Sequence, residues 1–136
     1  MPAGKDPRDT AARQAAALLV FDDLISTLMA DGSPQVSTVW IDSAEGLVLF
    51  NTAESRIKAK NLRRDPRVAI SVANAENPYD AIAIRGRVVA MTHEGAVEHI
   101  EALAQRYTGE PFQGHQPGDQ RVIVKVEPEK VAYRGG

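Results

Sequence analysis

Asn51, Thr52, Ser55, Arg56 and Lys58 place three side-chain oxygens and two cations within eight residues, directly after the apolar run Leu47-Val48-Leu49-Phe50. Such a set suits the binding of an anion. If the chain turns helical after the apolar run, the helix start carries N–H groups with no intrahelical partner, and an oxygen of Asn51, Thr52 or Ser55 can satisfy them. The helix dipole and those N–H groups favour a phosphate at the same end, and Arg56 and Lys58, both in the expected first turn, add positive charge. Cations there oppose the dipole by a few tenths of a kcal/mol, on a scale of ~0.3–1 kcal/mol, and a bound anion offsets this. On its own the basic run through Lys60, Arg63 and Arg64 would ordinarily be a solvated charged face. Its position straight after a strand brings the anion-site reading level with that one.

The rest of the chain narrows the classes. With 136 residues, 43% hydrophobic and 25% charged, it fits one globular domain. No apolar run approaches the ~20 residues of a membrane helix, so no membrane association is expected. Met1 to Arg13 carries charges of both signs and shows no secretory signal, which points to the cytoplasm. The absence of cysteine removes disulfides, thiolate metal sites and thiol nucleophiles. A net charge of -2 lacks the broad basic footprint of a nucleic-acid binder. His93, His99 and His115 have no metal-ligand spacing and no assignable carboxylate partner, so they read as surface histidines and no metal site is expected. No side chain stands out as a general acid, base or nucleophile.

The elements that position the basic run follow from periodicity and turn chemistry. Residues 1–9 read as a flexible tail and 10–136 as a single domain, beginning with a helix through Ala11 to Leu19. Leu24–Met29 and Gln35–Ile41 flank Asp31-Gly32 as a hairpin, and a turn at Asp42–Gly46 leads to a third strand at Leu47–Phe50, forming a three-strand meander. The basic helix ends at Asp65-Pro66, because the residue before proline is driven out of the helical region. Its narrow apolar stripe, Ile57 and Leu62 with Ala53 or Ala59, places it on a sheet rim. Val68–Val72 is a fourth strand, and the following loop delivers Tyr79. Ala81–Met91 is a fifth, with a bulge or close backbone approach at Gly86. Glu94–Tyr107 has a helical apolar face of Val97, Ile100, Leu103, Ala104 and Tyr107. The Gly- and Pro-rich stretch Thr108–Asp119 is a functional or mobile loop. Arg121–Pro128 is the sixth strand, with Lys130–Arg134 a short addition. The expectation is a mainly β fold with peripheral helices: six or so antiparallel strands in a closed or split barrel. A ligand would then lie outside the barrel or between two copies. Trp40, alone on its strand, reads as core or interface.

In order and spacing, Asp31–Ser37, Asn51–Ala69, Asn77-Pro78-Tyr79 and Arg85-Gly86-Arg87-Val88 resemble the flavin/deazaflavin oxidoreductase superfamily, over roughly Leu24 to Val131. The likeness is to the F420-using actinobacterial branch of these pyridoxamine 5'-phosphate oxidase-like, FMN-binding split β-barrels. It implies a homodimer with the cofactor at the interface and a small-molecule substrate. Carried over, it gives the cofactor phosphate to Arg56 and Lys58, with Asn51, Thr52 and Ser55 around it, and the ring edge to Ser37, Thr38 and Val39. Tyr79 would approach the cofactor of the other subunit, and Lys60, Arg63 and Arg64 would face a polyglutamate tail without singling one out. FMN-using oxidases of this superfamily have adjacent Arg-Lys, whereas here Ile57 intervenes, the Arg-x-Lys spacing that resembles the deazaflavin branch. The resemblance therefore implies F420, with FMN the alternative. The end at Arg134-Gly135-Gly136, without a longer C-terminal segment, argues against pyridoxamine phosphate oxidation. The implied chemistry is hydride transfer from the reduced deazaflavin to an unsaturated or quinone-like molecule. An FMN-binding protein or a non-catalytic F420 carrier is the competing reading.

Overall fold

The computed structural model describes residues 23–73, 77 and 79–134. The expected tail at 1–9 and the helix at 11–19 lie outside them. Among the described residues the chain forms strands β1 (Asp23–Leu28), β2 (Pro34–Val39), β3 (Ile41–Ala44), β4 (Leu47–Ala53), β5 (Arg67–Ala73), β6 (Ala81–Thr92) and β7 (Arg121–Arg134). Two helices accompany them, α1 (Ile57–Arg64) and α2 (Ala96–Thr108). Neither is long and apolar enough to cross a membrane.

All strand pairs are antiparallel, in the order β2-β1-β5-β6-β7-β4-β3. The two ends of this order, β2 and β3, are separated in sequence by Trp40 alone. Chain connectivity thus brings the sheet's two edges together although among the described residues no ladder joins them, and the sheet must curl into a split barrel. The fold is mainly β with peripheral helices, as the sequence implies.

The three-strand meander does not form. β1–β2 and β3–β4 are separate hairpins at opposite ends of the strand order, and the expected second strand breaks at Trp40. The chain leaves one edge there and joins the other, so a single ladder cannot continue. The β3–β4 hairpin closes through Glu45 and Gly46, both at positive φ (54° and 79°), the backbone that a two-residue type I′ turn requires.

Inward residues of both halves make one core. Ile25, Ile70 and Ile84 are cross-strand neighbours on one side, and Ile41, Phe50 and Val124 on the other. Each is almost fully buried, worth roughly 1.5–3 kcal/mol per large side chain. α1 rests against β1 and β4 through Ala59, Asn61 and Leu62, whereas Ile57 turns outward. Its polar inward residue is satisfied: Asn61 Nδ2 donates to the buried Thr27 Oγ1 at 3.0 Å. Asp65 ends the helix in extended geometry, its N–H donating to Asn61 O at 2.8 Å. α2 buries Ala96, Ile100, Leu103 and Ala104, but Val97 faces out, against its assignment to the apolar face.

β6 and β7 slip register between Arg85 and Gly86, where Gly86 pairs with Pro128 and Arg85 with Lys130. Glu129 is the extra residue, so β7 runs through Pro128 to Arg134 as one strand rather than ending at the proline. A Cβ on Gly86 would stand 2.3 Å from Glu127 O, the close backbone approach that the sequence suggests. Gly86→Ala is therefore expected to destabilise the fold by roughly 1–3 kcal/mol in chemical denaturation; unchanged stability would mean that the bulge relaxes freely.

Candidate functional site

β4 delivers the chain to α1 through a turn in which Arg56 N–H donates to Ala53 O at 2.9 Å. Arg56 is the cap residue, extended at φ -80° and ψ 150°, and no side chain hydrogen-bonds the helix start. The oxygens expected to do so are committed elsewhere or held inside the sheet. Asn51 and Thr52 are buried within β4, and Ser55 Oγ donates to Asp119 Oδ1 at 3.0 Å. The first-turn N–H groups of α1 are thus left for solvent or a ligand.

Beside this helix start lies an open cleft of about 300 Å³. Thr38, Val39 and Trp40 from the β2–β3 junction line one side, and Asn51 and Thr52 of β4 the floor. Arg56, Lys58, Arg121, Ile100 and Phe112 complete it. The cleft gathers Thr38, Val39, Asn51, Thr52, Arg56 and Lys58 from the sequence-derived set, while Ser37, Ser55 and Tyr79 do not line it within this chain. Ser37 Oγ is buried without a hydrogen-bond partner, and Tyr79 is exposed.

Arg121 and Phe112 were not assigned to the site from the sequence, and Trp40, read there as core or interface, lines the cleft. Arg121 opens β7 opposite Ala53 and is 7% exposed. Its Nε donates to Asn51 Oδ1 at 2.9 Å, and its guanidinium lies 5.0 Å from the Phe112 ring centroid. Trp40 stacks on Tyr107 at 5.3 Å and meets Phe112 edge-on at 6.2 Å. The Thr108–Asp119 loop therefore walls the cleft. Glu101 anchors it, accepting from Phe112 N–H at 3.1 Å and facing His115 Nε2 at 2.6 Å.

Asn51 joins this wall to a buried polar chain. Its Nδ2 donates to Ala96 O at 2.8 Å and to His99 Nδ1 at 3.1 Å. Nδ1 must then accept, which puts the ring proton on Nε2, 3.4 Å from Asp42 Oδ2 and long for a hydrogen bond. Arg106 Nη1 reaches Asp42 Oδ1 at 3.2 Å. The histidines read as unpaired surface groups each face a carboxylate: His93 meets Glu54 at 2.6 Å, His99 meets Asp42, and His115 meets Glu101. Among the described residues no three such side chains converge as a metal site.

The cleft is short of negative charge. Burial first, then Arg56 and Arg121, pulls the Lys58 ammonium below its usual range. Burial likewise lowers Arg121, with Asp119 opposing and Arg56 adding. Three cations press on one another in a partly desolvated space, the arrangement expected of an anion site.

The family described as pyridoxamine 5'-phosphate oxidase matches residues 24–135 of this sequence. The chain belongs to that family, whose class is the flavin and deazaflavin oxidoreductases. Among solved structures it is similar to an F420 reductase, with 26% identity and a TM-score of 0.76 over 97% of this chain and 98% of that one. A conserved hypothetical protein of Mycobacterium tuberculosis shares the fold at 20% identity and a TM-score of 0.70, covering 96% and 85% of the two chains. So does general stress protein 26 of Bacillus anthracis, at 14% and 0.67, covering 93% and 92%.

Asp42 is held down to about 2 from 3.8, first by His99, with Ser43 N–H and Arg106 adding and burial opposing. A depressed carboxyl contributes stability above its unfolded value that is lost as pH falls through the folded one. Asp42→Asn should therefore flatten part of the stability loss between pH 3.8 and about 2 in denaturant titrations; an unaltered acid limb would exclude that coupling.

Proposed function

We propose that the protein is an F420-dependent reductase that passes hydride to an unsaturated or quinone-like small molecule. The observation that carries this is the Arg56-Ile57-Lys58 arrangement: both cations line the cleft beside an uncapped helix start, while Ile57 between them faces outward, 53% exposed. The likeness to an F420 reductase supports it.

The residues present suit such a cofactor. Three cations and free first-turn N–H groups fit a phosphate. β2 ends the strand order and pairs only with β1 among the described residues, so the other edge of Ser37-Thr38-Val39 has backbone groups for the rim of a planar ring. Reduced F420 supplies the hydride when bound. Arg56 and Lys58 hold the phosphate, with Thr52 and Ser55 beside it. The β2 edge sets the ring plane, and Trp40 and Phe112 keep water from its end of the cleft. No residue of the cleft is assigned as a general acid, so a following proton comes from solvent or substrate.

Tyr79 lies away from this cleft, and we assign it to the cleft of a second copy in a homodimer. The outer sheet face supports pairing: Leu24 and Val36 are 46% and 60% exposed there, on neighbouring strands. The cytoplasm is the compartment of this reading.

In side-by-side titrations, the purified protein should bind F420 more tightly than FMN, and Lys58→Ala should weaken F420 by about tenfold, the loss of one charge-assisted bond. Tighter FMN binding would sink the cofactor assignment. Reduced F420 should be consumed only when an acceptor such as menadione is added; consumption indifferent to the acceptor would mark a carrier. Val36→Glu should give a monomer by light scattering with weakened F420 binding, and a monomeric wild-type protein would refute the dimer.

A further inference from the structure

Arg121 is a charge that the fold has buried without a direct salt bridge, with Asp119 acting on it only from beyond ion-pair distance. Among the described residues no carboxylate lies within salt-bridge distance of its guanidinium, which hydrogen-bonds only Asn51. With Nε tied to Asn51 Oδ1, the two terminal nitrogens are left to the cleft that Arg121 lines, next to Arg56 and Lys58. A guanidinium so held presents an end-on fork that matches two oxygens of one phosphoryl group.

Asn51 can hold Arg121 only in one orientation of its amide. Donation from Nδ2 to Ala96 O and to His99 Nδ1 fixes that orientation from behind and turns Oδ1 toward Arg121. Rotating the amide would set a carbonyl oxygen against Ala96 O and an NH2 against Arg121, two like-with-like contacts in a buried place.

We propose that the anion site is a triad, with Arg121 as the third phosphoryl ligand beside Arg56 and Lys58, and Asn51 as the residue that positions it. The assignment concerns the phosphoryl group alone and holds whether the cleft takes F420 or FMN, so it rests on the anion cleft of the reading above and not on its hydride chemistry. It also gives the Phe112 wall a second part: the ring covers the guanidinium that Asn51 holds.

Inorganic pyrophosphate, titrated calorimetrically at low salt into the purified protein, tests this apart from any redox turnover. Arg121→Gln should weaken binding by about tenfold, Arg121→Lys by less because charge survives without the fork, and Asn51→Leu by at least about threefold. If Asn51 acts through Arg121, adding Asn51→Leu to Arg121→Gln costs no further affinity, whereas a general packing role costs the same in both backgrounds. Arg87→Gln, outside the cleft, should match the wild type, and thermal midpoints of all variants report folding separately. Three results would overturn the triad: no pyrophosphate binding by the wild-type protein, Arg121→Gln within twofold of it, or an additive double variant. Failure of F420 to bind a protein that holds pyrophosphate in this pattern would reject the cofactor assignment and leave the triad standing.

Discussion

One residue of chain separates the two edges of the sheet. Because β2 and β3 are joined through Trp40 alone yet lie at opposite ends of a seven-strand order, the sheet has no option but to curl. The same constraint shapes the cleft, for among the described residues the outer edge of β2 has no strand partner on the side where β4 ends and α1 begins. Thr38, Val39 and Trp40 therefore belong to the cleft as a consequence of topology. Trp40, at the junction between the two strands, packs on Tyr107 of α2. Tyr107 in turn bonds back to the junction, its hydroxyl accepting from Ile41 N–H at 3.2 Å. The helix thus fastens the seam that hydrogen-bonded strands leave open.

Long β6 and β7 form the other half of this arrangement. A classical ladder through their whole length would be too flat to bring the edges round, and two register slips, at Arg85/Gly86 and Val88/Ala90, bend it. Gly86 makes the first slip possible by admitting Glu127 O where any side chain would collide. β7 then pairs with β4 as far as Arg121 opposite Ala53, so the buried arginine sits one turn of chain from the start of α1. Curl, bulge and charge placement are in this sense one design.

How much of this was legible in the sequence depended on how local the cause was. Asp31-Gly32 marks a hairpin, Asp65-Pro66 a helix end and Gly86 a bulge, each through the backbone freedom of one or two residues. The break at Trp40 carries no turn residue, only an aromatic within an apolar run, and it appears only once the edges are placed. Pro128 reads as a strand end because the bulge that accommodates it is set by Gly86, far away in sequence. Arg56 and Lys58 were visible because they share a helix start. Arg121 was not, because its hydrogen-bond partner Asn51 stands 70 residues away. Separation in sequence likewise hid the carboxylate partners of His93 and His99, Glu54 and Asp42. Ile57 and Val97 were assigned inward by spacing, and each proved to sit at the margin of its helix's apolar stripe, where periodicity cannot tell rim from core.

The cleft also sets stability against binding. Lys58 and Arg121 are both pulled down by burial and by neighbouring cations, so each is held at some expense to the fold. Apolar residues of similar volume would relieve that strain, yet the fold instead ties Arg121 to Asn51, whose amide Ala96 O and His99 hold from behind. A packing role alone does not account for this, because Val or Leu would fill the space beneath Phe112 without a buried polar chain. The anion proposed for the cleft would account for it. By adding negative charge it would stabilise the native state in proportion to its affinity, since a ligand of the assembled cleft does not bind the unfolded chain. On that proposal, the polar chain behind Arg121 is the part of the structure whose worth appears only when the cleft is filled.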